Sequence, residues 1–133
     1  MRVWIAGLVF AIGFAMGAMA QDRDIEGVIS GQIEAFKADD FEEAFTFAAP
    51  SIQLMFRTPE NFGVMVRRGY PMVWRPADVT FLDLREEGGR FVQTVQIEAA
   101  EGAIHLLAYS MTQTEAGWKI SGVQFLEAPG VAA

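Results

Sequence analysis

Cysteine is absent from this chain. No disulfide can staple the fold and no lipid can be attached at a lipoprotein cysteine, so packing alone must stabilise it. Histidine occurs once, as His105. One imidazole and no thiolate argue against a zinc or copper centre of the usual kind, and no metal or other cofactor is expected. There is no Gly-x-Ser-x-Gly elbow, no phosphate-cradling glycine loop and no dinucleotide fingerprint. A serine hydrolase would need His105 as its base, and the spacing places no serine beside it. Positive charge is scarce too: 10 Lys and Arg against 17 Asp and Glu give a net charge of −7. Such a surface repels phosphates and anionic lipid heads, which argues against a nucleic-acid partner.

What is present begins with an address. Arg2 carries one positive charge, Val3 to Met16 is apolar and uncharged, and Ala18-Met19-Ala20 supplies small residues where a signal peptidase reads them. The pattern is that of a secretory signal peptide over residues 1–20, with cleavage expected after Ala20 and a periplasmic or secreted product. The rival reading is an uncleaved anchor, because Val3–Ala20 sits at the lower edge of bilayer-spanning length. After cleavage no membrane association is expected. Residues 21–133 are enough for one domain and not two.

That domain changes character midway. Residues 22–70 read as helices. Asp22 or Asp24 can cap the first, and Ile25, Val28, Ile29, Ile33 and Phe36 line its apolar face. Asp40, with Glu43 three residues on, opens a second helix in a variant of the capping box, and Pro50 should stop it. Ile52, Met55 and Phe56 suggest a further turn or two. Thr58-Pro59-Glu60 opens a third helix, with Arg67 and Arg68 in its last turn; Gly69 should end it and Pro71 prevent a restart. From residue 78 the period becomes two. Four strands, Val79–Glu86, a second around Phe91–Glu98, Ala103–Thr112 and Trp118–Leu126, are separated by turns at Gly88-Gly89, Glu101-Gly102 and Gly117. The expected fold is therefore α+β: N-terminal helices packed on a curved four-stranded antiparallel sheet, a cone whose mouth can become a pocket.

The closing strand Gly117-Trp118-Lys119-Ile120-Ser121-Gly122-Val123 after such helices resembles the nuclear-transport-factor-2-like superfamily, the cystatin-like α+β cone. The stretches Ala35–Asp40, Phe45–Gln53, Thr58–Phe62, Gly69-Tyr70-Pro71 and Trp74-Arg75-Pro76 resemble a family of secreted proteobacterial proteins known only as a domain of unknown function. The resemblance implies a fold and a compartment, and no activity, because the superfamily hosts enzymes and non-enzymes alike.

Three residues are candidates for acid–base chemistry. A two-residue turn at Glu101-Gly102 would put Glu98 opposite His105, where a carboxylate could orient the imidazole; the plainer reading is a polar pair on a wet outer face. Tyr109 shares His105's side of the strand, but about 13 Å separates them at roughly 3.3 Å per residue, too far to bond. Asp83, with Arg85 expected on the same side of its strand, could form a polar pair inside the cone, or guard an exposed edge. Candidate ligand-binding residues are Phe56, Met65, Tyr70, Trp74 and Arg75. The aromatics and guanidinium of the 70–76 connector could hold a carboxylate or a flat molecule. The alternative is that Trp74 plugs the cone while Arg75 pairs with an acidic helix residue. Met55, Met65, Met72 and Met111 suit either an adaptable pocket or a core. The residues favour non-enzymatic binding of a small apolar or amphipathic molecule or a protein partner. The alternatives are a small acid–base enzyme and a module that homodimerises through its sheet. A bulge at Gly117 would swap which of Trp118 and Lys119 points inward, so register decides what lines the cone.

Overall fold

The computed structural model describes residues 2–126, with side chains from Ala20 onward. Helix α1 (Arg2–Lys37) continues through Asp22 and Asp24 without a break, so neither caps it. A capping residue must leave helical geometry on its N-terminal side, and the apolar stretch before Asp22 gives no reason to do so. Among the described residues no helix is long and apolar enough to cross a membrane. Ile25, Ile29, Ile33 and Phe36 are buried along the expected stripe. The helix closes in a Schellman turn: Asp40 N–H donates to Ala35 O (2.8 Å), Asp39 N–H donates to Phe36 O (3.0 Å), and Asp39 takes φ +56°.

Helix α2 (Phe41–Thr46) is capped as expected by the Asp40 carboxylate, which accepts from Glu43 N at 3.1 Å. It ends before Pro50, which instead opens α3 (Pro50–Phe56). Thr58 caps α4 (Pro59–Gly69) through Asn61 N, also at 3.1 Å. Pro71, expected to block any restart, begins a short α5 (Pro71–Trp74). Both outcomes have one cause: proline lacks an N–H where a first helical turn has no use for one.

Strands β1 (Pro76–Glu87), β2 (Arg90–Ala99), β3 (Ile104–Thr114) and β4 (Gly117–Leu126) form one antiparallel sheet in sequence order. The helices cover the face that carries Val95, Ile97, Leu107, Tyr109, Met111, Trp118 and Ile120, so the architecture is the expected α+β. The β4 edge is partly paired by the chain between α2 and α3: Ile120 N donates to Phe47 O (2.9 Å) and Ala49 N to Ile120 O (2.8 Å).

Two features of register differ from expectation. The β2–β3 loop holds three residues, not two, because Ala99 pairs with Ala103 (2.8 Å) and Gly102 takes φ +97°. The whole pairing shifts by one: Ile97, not Glu98, stands opposite His105. On β4 the irregularity lies at Ser121, between the pairs Ser110–Gly122 and Met111–Ile120, and not at Gly117. Trp118 accordingly points inward and is buried, with Phe91 packed against it edge-on at 5.3 Å.

Candidate functional site

A cavity of about 370 Å³ opens between the helical layer and the sheet. Its helical walls come from α1 (Gln32, Phe36), α3 (Ile52, Met55, Phe56) and α4 (Phe62, Met65, Val66), with Tyr70 and Val73 at one end. Tyr109 of β3 and Ile120 to Val123 of β4 form the sheet side. The volume falls near the lower end of the range for small-molecule sites. None of the lining side chains is charged. The cavity opens where α3 lies over the sheet without a single buried residue; Met55, which lines it, is 69% exposed.

The polar atoms in this lining are mostly engaged. Tyr70 Oη donates to Val123 O at 3.3 Å, while the Tyr70 ring stacks on Phe125 with centroids 5.0 Å apart. Ser121 Oγ donates to Ser110 O (3.1 Å), and Gln32 Nε2 to Ala44 O (3.2 Å). Tyr109 is the exception. Its side chain is fully buried and its hydroxyl has no hydrogen-bond partner. Burial pushes its phenol far above the ordinary tyrosine value, with the nearby Tyr70 adding to the shift. The hydroxyl therefore stays protonated at every physiological pH and can act as a donor.

The structure thus brings Phe56, Met65, Tyr70 and Tyr109 together and leaves the other candidates elsewhere. His105 shares Tyr109's side of β3, which is the inner face and not the wet outer face expected for it, and sits at the far end against Phe125 (centroids 6.4 Å), in a separate pocket with Trp74, Arg75 and Glu101. The expected Glu98–His105 pair does not form, because the three-residue loop moves Glu98 opposite Ile104 on the outer face. Of the two readings offered for Asp83 and Arg85, the polar pair inside the cone does not form. Asp83 lies exposed in a bulge between Phe81 and Leu84, and Arg85 faces outward opposite Val92 and bonds Glu87 at 2.9 Å. Buried Gln93 serves the bulge, its Nε2 donating to Leu82 O (3.1 Å) and Thr94 O (2.9 Å).

Trp74 and Arg75 take the structural alternative. Arg75 Nη2 meets both oxygens of Asp39 (2.9 and 3.0 Å), Nη1 donates to Phe36 O (2.9 Å), and the guanidinium lies 4.4 Å over the Trp74 ring. Trp74 Nε1 donates to the same Asp39 carboxylate at 2.9 Å. The C-terminus of α1 is thereby clamped to the connector, with a cation where the helix dipole favours one. Asp39 was not singled out by any motif. Its one sequence signal is position: a residue tolerant of positive φ just past a helical stripe.

Asn, Gln, Tyr and Ser contribute the polar groups of many binding sites, and no cluster of three His, Cys, Asp or Glu able to hold a metal ion occurs among the described residues. Fold and cavity together define a helix-on-sheet α+β domain with an uncharged, apolar pocket between its layers. Residues 18–133 match the model of the DUF4864 family, a domain of unknown function, and the chain belongs to that family. No curated protein and no solved structure matches it.

Proposed function

We propose that this protein is an exported, non-enzymatic binding domain of the nuclear-transport-factor-2-like kind. It takes a small apolar or amphipathic molecule into the cavity between α3–α4 and β3–β4. The observation that carries this reading is the lining: an opening of about 370 Å³ walled by Phe, Met, Ile and Val with no charged side chain. The acid–base alternative calls for two titratable groups within hydrogen-bond reach in such a cavity. The two that line it, Tyr70 and Tyr109, are not bonded to each other: Tyr70 Oη is committed to Val123 O and Tyr109 Oη bonds nothing.

The test uses N-phenylnaphthylamine, a neutral fluorophore that brightens in apolar surroundings. Its emission is expected to rise and saturate at one probe per chain. Ile52→Trp places an indole in the cavity from the half-buried face of α3. It is expected to weaken the probe at least about tenfold, equivalent to roughly 1.4 kcal/mol, with the circular dichroism spectrum unchanged. A flat fluorescence trace with the unmodified protein would sink the proposal.

A further inference from the structure

We propose that the occupant of this cavity is an uncharged molecule presenting one hydrogen-bond-accepting oxygen, such as a ketone or ester carbonyl, to the hydroxyl of Tyr109. The inference rests on the cavity being a binding site, as argued above, and adds which chemistry it selects.

Charge is settled by what the walls lack. A carboxylate or ammonium entering an apolar site loses its hydration, and no lining side chain offers a counter-charge. The chain's net charge of −7 adds a further cost for an anion. The nearest guanidinium of the connector, Arg75, is already held by Asp39 through two bonds and lines a different pocket. A fatty acid or other amphipathic anion is therefore the wrong occupant, although its chain would suit the walls.

The accepting oxygen follows from Tyr109. A buried hydroxyl without a partner costs about 1–3 kcal/mol relative to one that is bonded, and phenylalanine of nearly the same shape would avoid that cost. The other hydroxyls in the lining are spent on backbone carbonyls, Tyr70 on Val123 and Ser121 on Ser110, and Gln32 Nε2 gives one of its two hydrogens to Ala44 O. Tyr109 alone keeps an unspent O–H at the floor. Because it carries no exposed surface, a ligand oxygen reaches it when neighbouring side chains give way. Met55 and Met65 are the lining residues with the torsional freedom to do so. A carbonyl at that point completes a hydrogen bond in a water-poor site, where it counts for more than in solvent.

Three probes of one skeleton separate the outcomes: benzophenone, diphenylmethane and diphenylacetate, titrated calorimetrically into the full chain. Benzophenone is expected to bind roughly 3- to 10-fold more tightly than diphenylmethane, the worth of one net hydrogen bond, and diphenylacetate to bind weakest. Tyr109→Phe is expected to erase the preference for the ketone, leave diphenylmethane binding intact and raise the melting temperature. Equal binding of ketone and hydrocarbon, or a ketone preference that survives in Tyr109→Phe, overturns the Tyr109 assignment while the cavity reading stands. Tightest binding by diphenylacetate overturns the uncharged class. If none of the three binds, the cavity reading itself fails and this inference falls with it.

Discussion

At the scale of single residues, the clearest structural investment is Asp39. It accepts a positive φ at the end of α1, where glycine is the usual choice, and its carboxylate gathers the Trp74 indole and the Arg75 guanidinium. Those donors, the indole first, hold its carboxyl below the ordinary value of 3.8. The sign is that of a depressed acid: the stabilisation is complete above the unfolded value and is lost as pH falls through the folded one. Asp39→Asn tolerates the same backbone but cannot form the ion pair. It is expected to lower the melting temperature at neutral pH. As pH falls below 3.8 the gap to the unmodified protein should narrow, first because the unfolded chain takes up a proton that the folded carboxyl resists, and it closes once pH passes below the lower folded value, where the native carboxylate is lost as well. Parallel melting curves across that range would remove the clamp from the account of stability. The sequence allowed an acidic partner for Arg75 but did not say which one. Asp39 and Arg75 are 36 residues apart, and no local pattern announces which acidic residue a distant arginine will find.

Elements were read more successfully than their mutual placement. The caps Asp40 and Thr58, the Gly88-Gly89 turn and the change of period from helical to alternating are local signals, and each stands where the residues put it, while the last turn falls at Glu115-Ala116 with Gly117 opening β4. Register was not legible at the β2–β3 turn, since Glu101-Gly102 suits a two-residue or a three-residue loop and only one shifts Glu98 off His105. Close approach between helices is equally hidden. A Cβ placed on buried Gly63 of α4 would lie 2.8 Å from Phe41 Cδ1, so glycine there lets the Phe41 ring settle against the helix. Gly63→Ala gains about 1 kcal/mol of helix propensity and incurs about 1–3 kcal/mol of overpacking. The expected net effect is a destabilisation of up to about 2 kcal/mol, read by urea unfolding. In a Phe41→Leu background the same change should become neutral or stabilising, because the planar ring is gone. A Gly63→Ala variant as stable as the parent would show that the ring shifts freely.

For the whole molecule, the division into a helical half and a meander half follows from sequence periodicity, while the cavity between them does not. Its existence depends on α3 resting against β4 with no residue fully inserted, a matter of how two layers fit. The cleavage proposed after Ala20 has a consequence for stability that can be tested. Among the residues whose side chains are described, the first buried one is Ile25; Ala20 to Asp24 are exposed. From Ile25 the stripe through Ile29, Ile33 and Phe36 supplies α1's contribution to the core. A helix from Gln21 to Lys37 keeps that stripe and still spans more than four turns at 3.6 residues per turn. Residues 21–133 are expected to melt within about 4 °C of the full chain, the shift that roughly 1 kcal/mol produces in a domain of this size. Mass spectrometry of the protein recovered outside the cytoplasm should give Gln21 as its first residue. A much larger drop in melting temperature, or a recovered chain that keeps Met1, would make residues 1–20 a working part of α1 and end the proposal of export by cleavage.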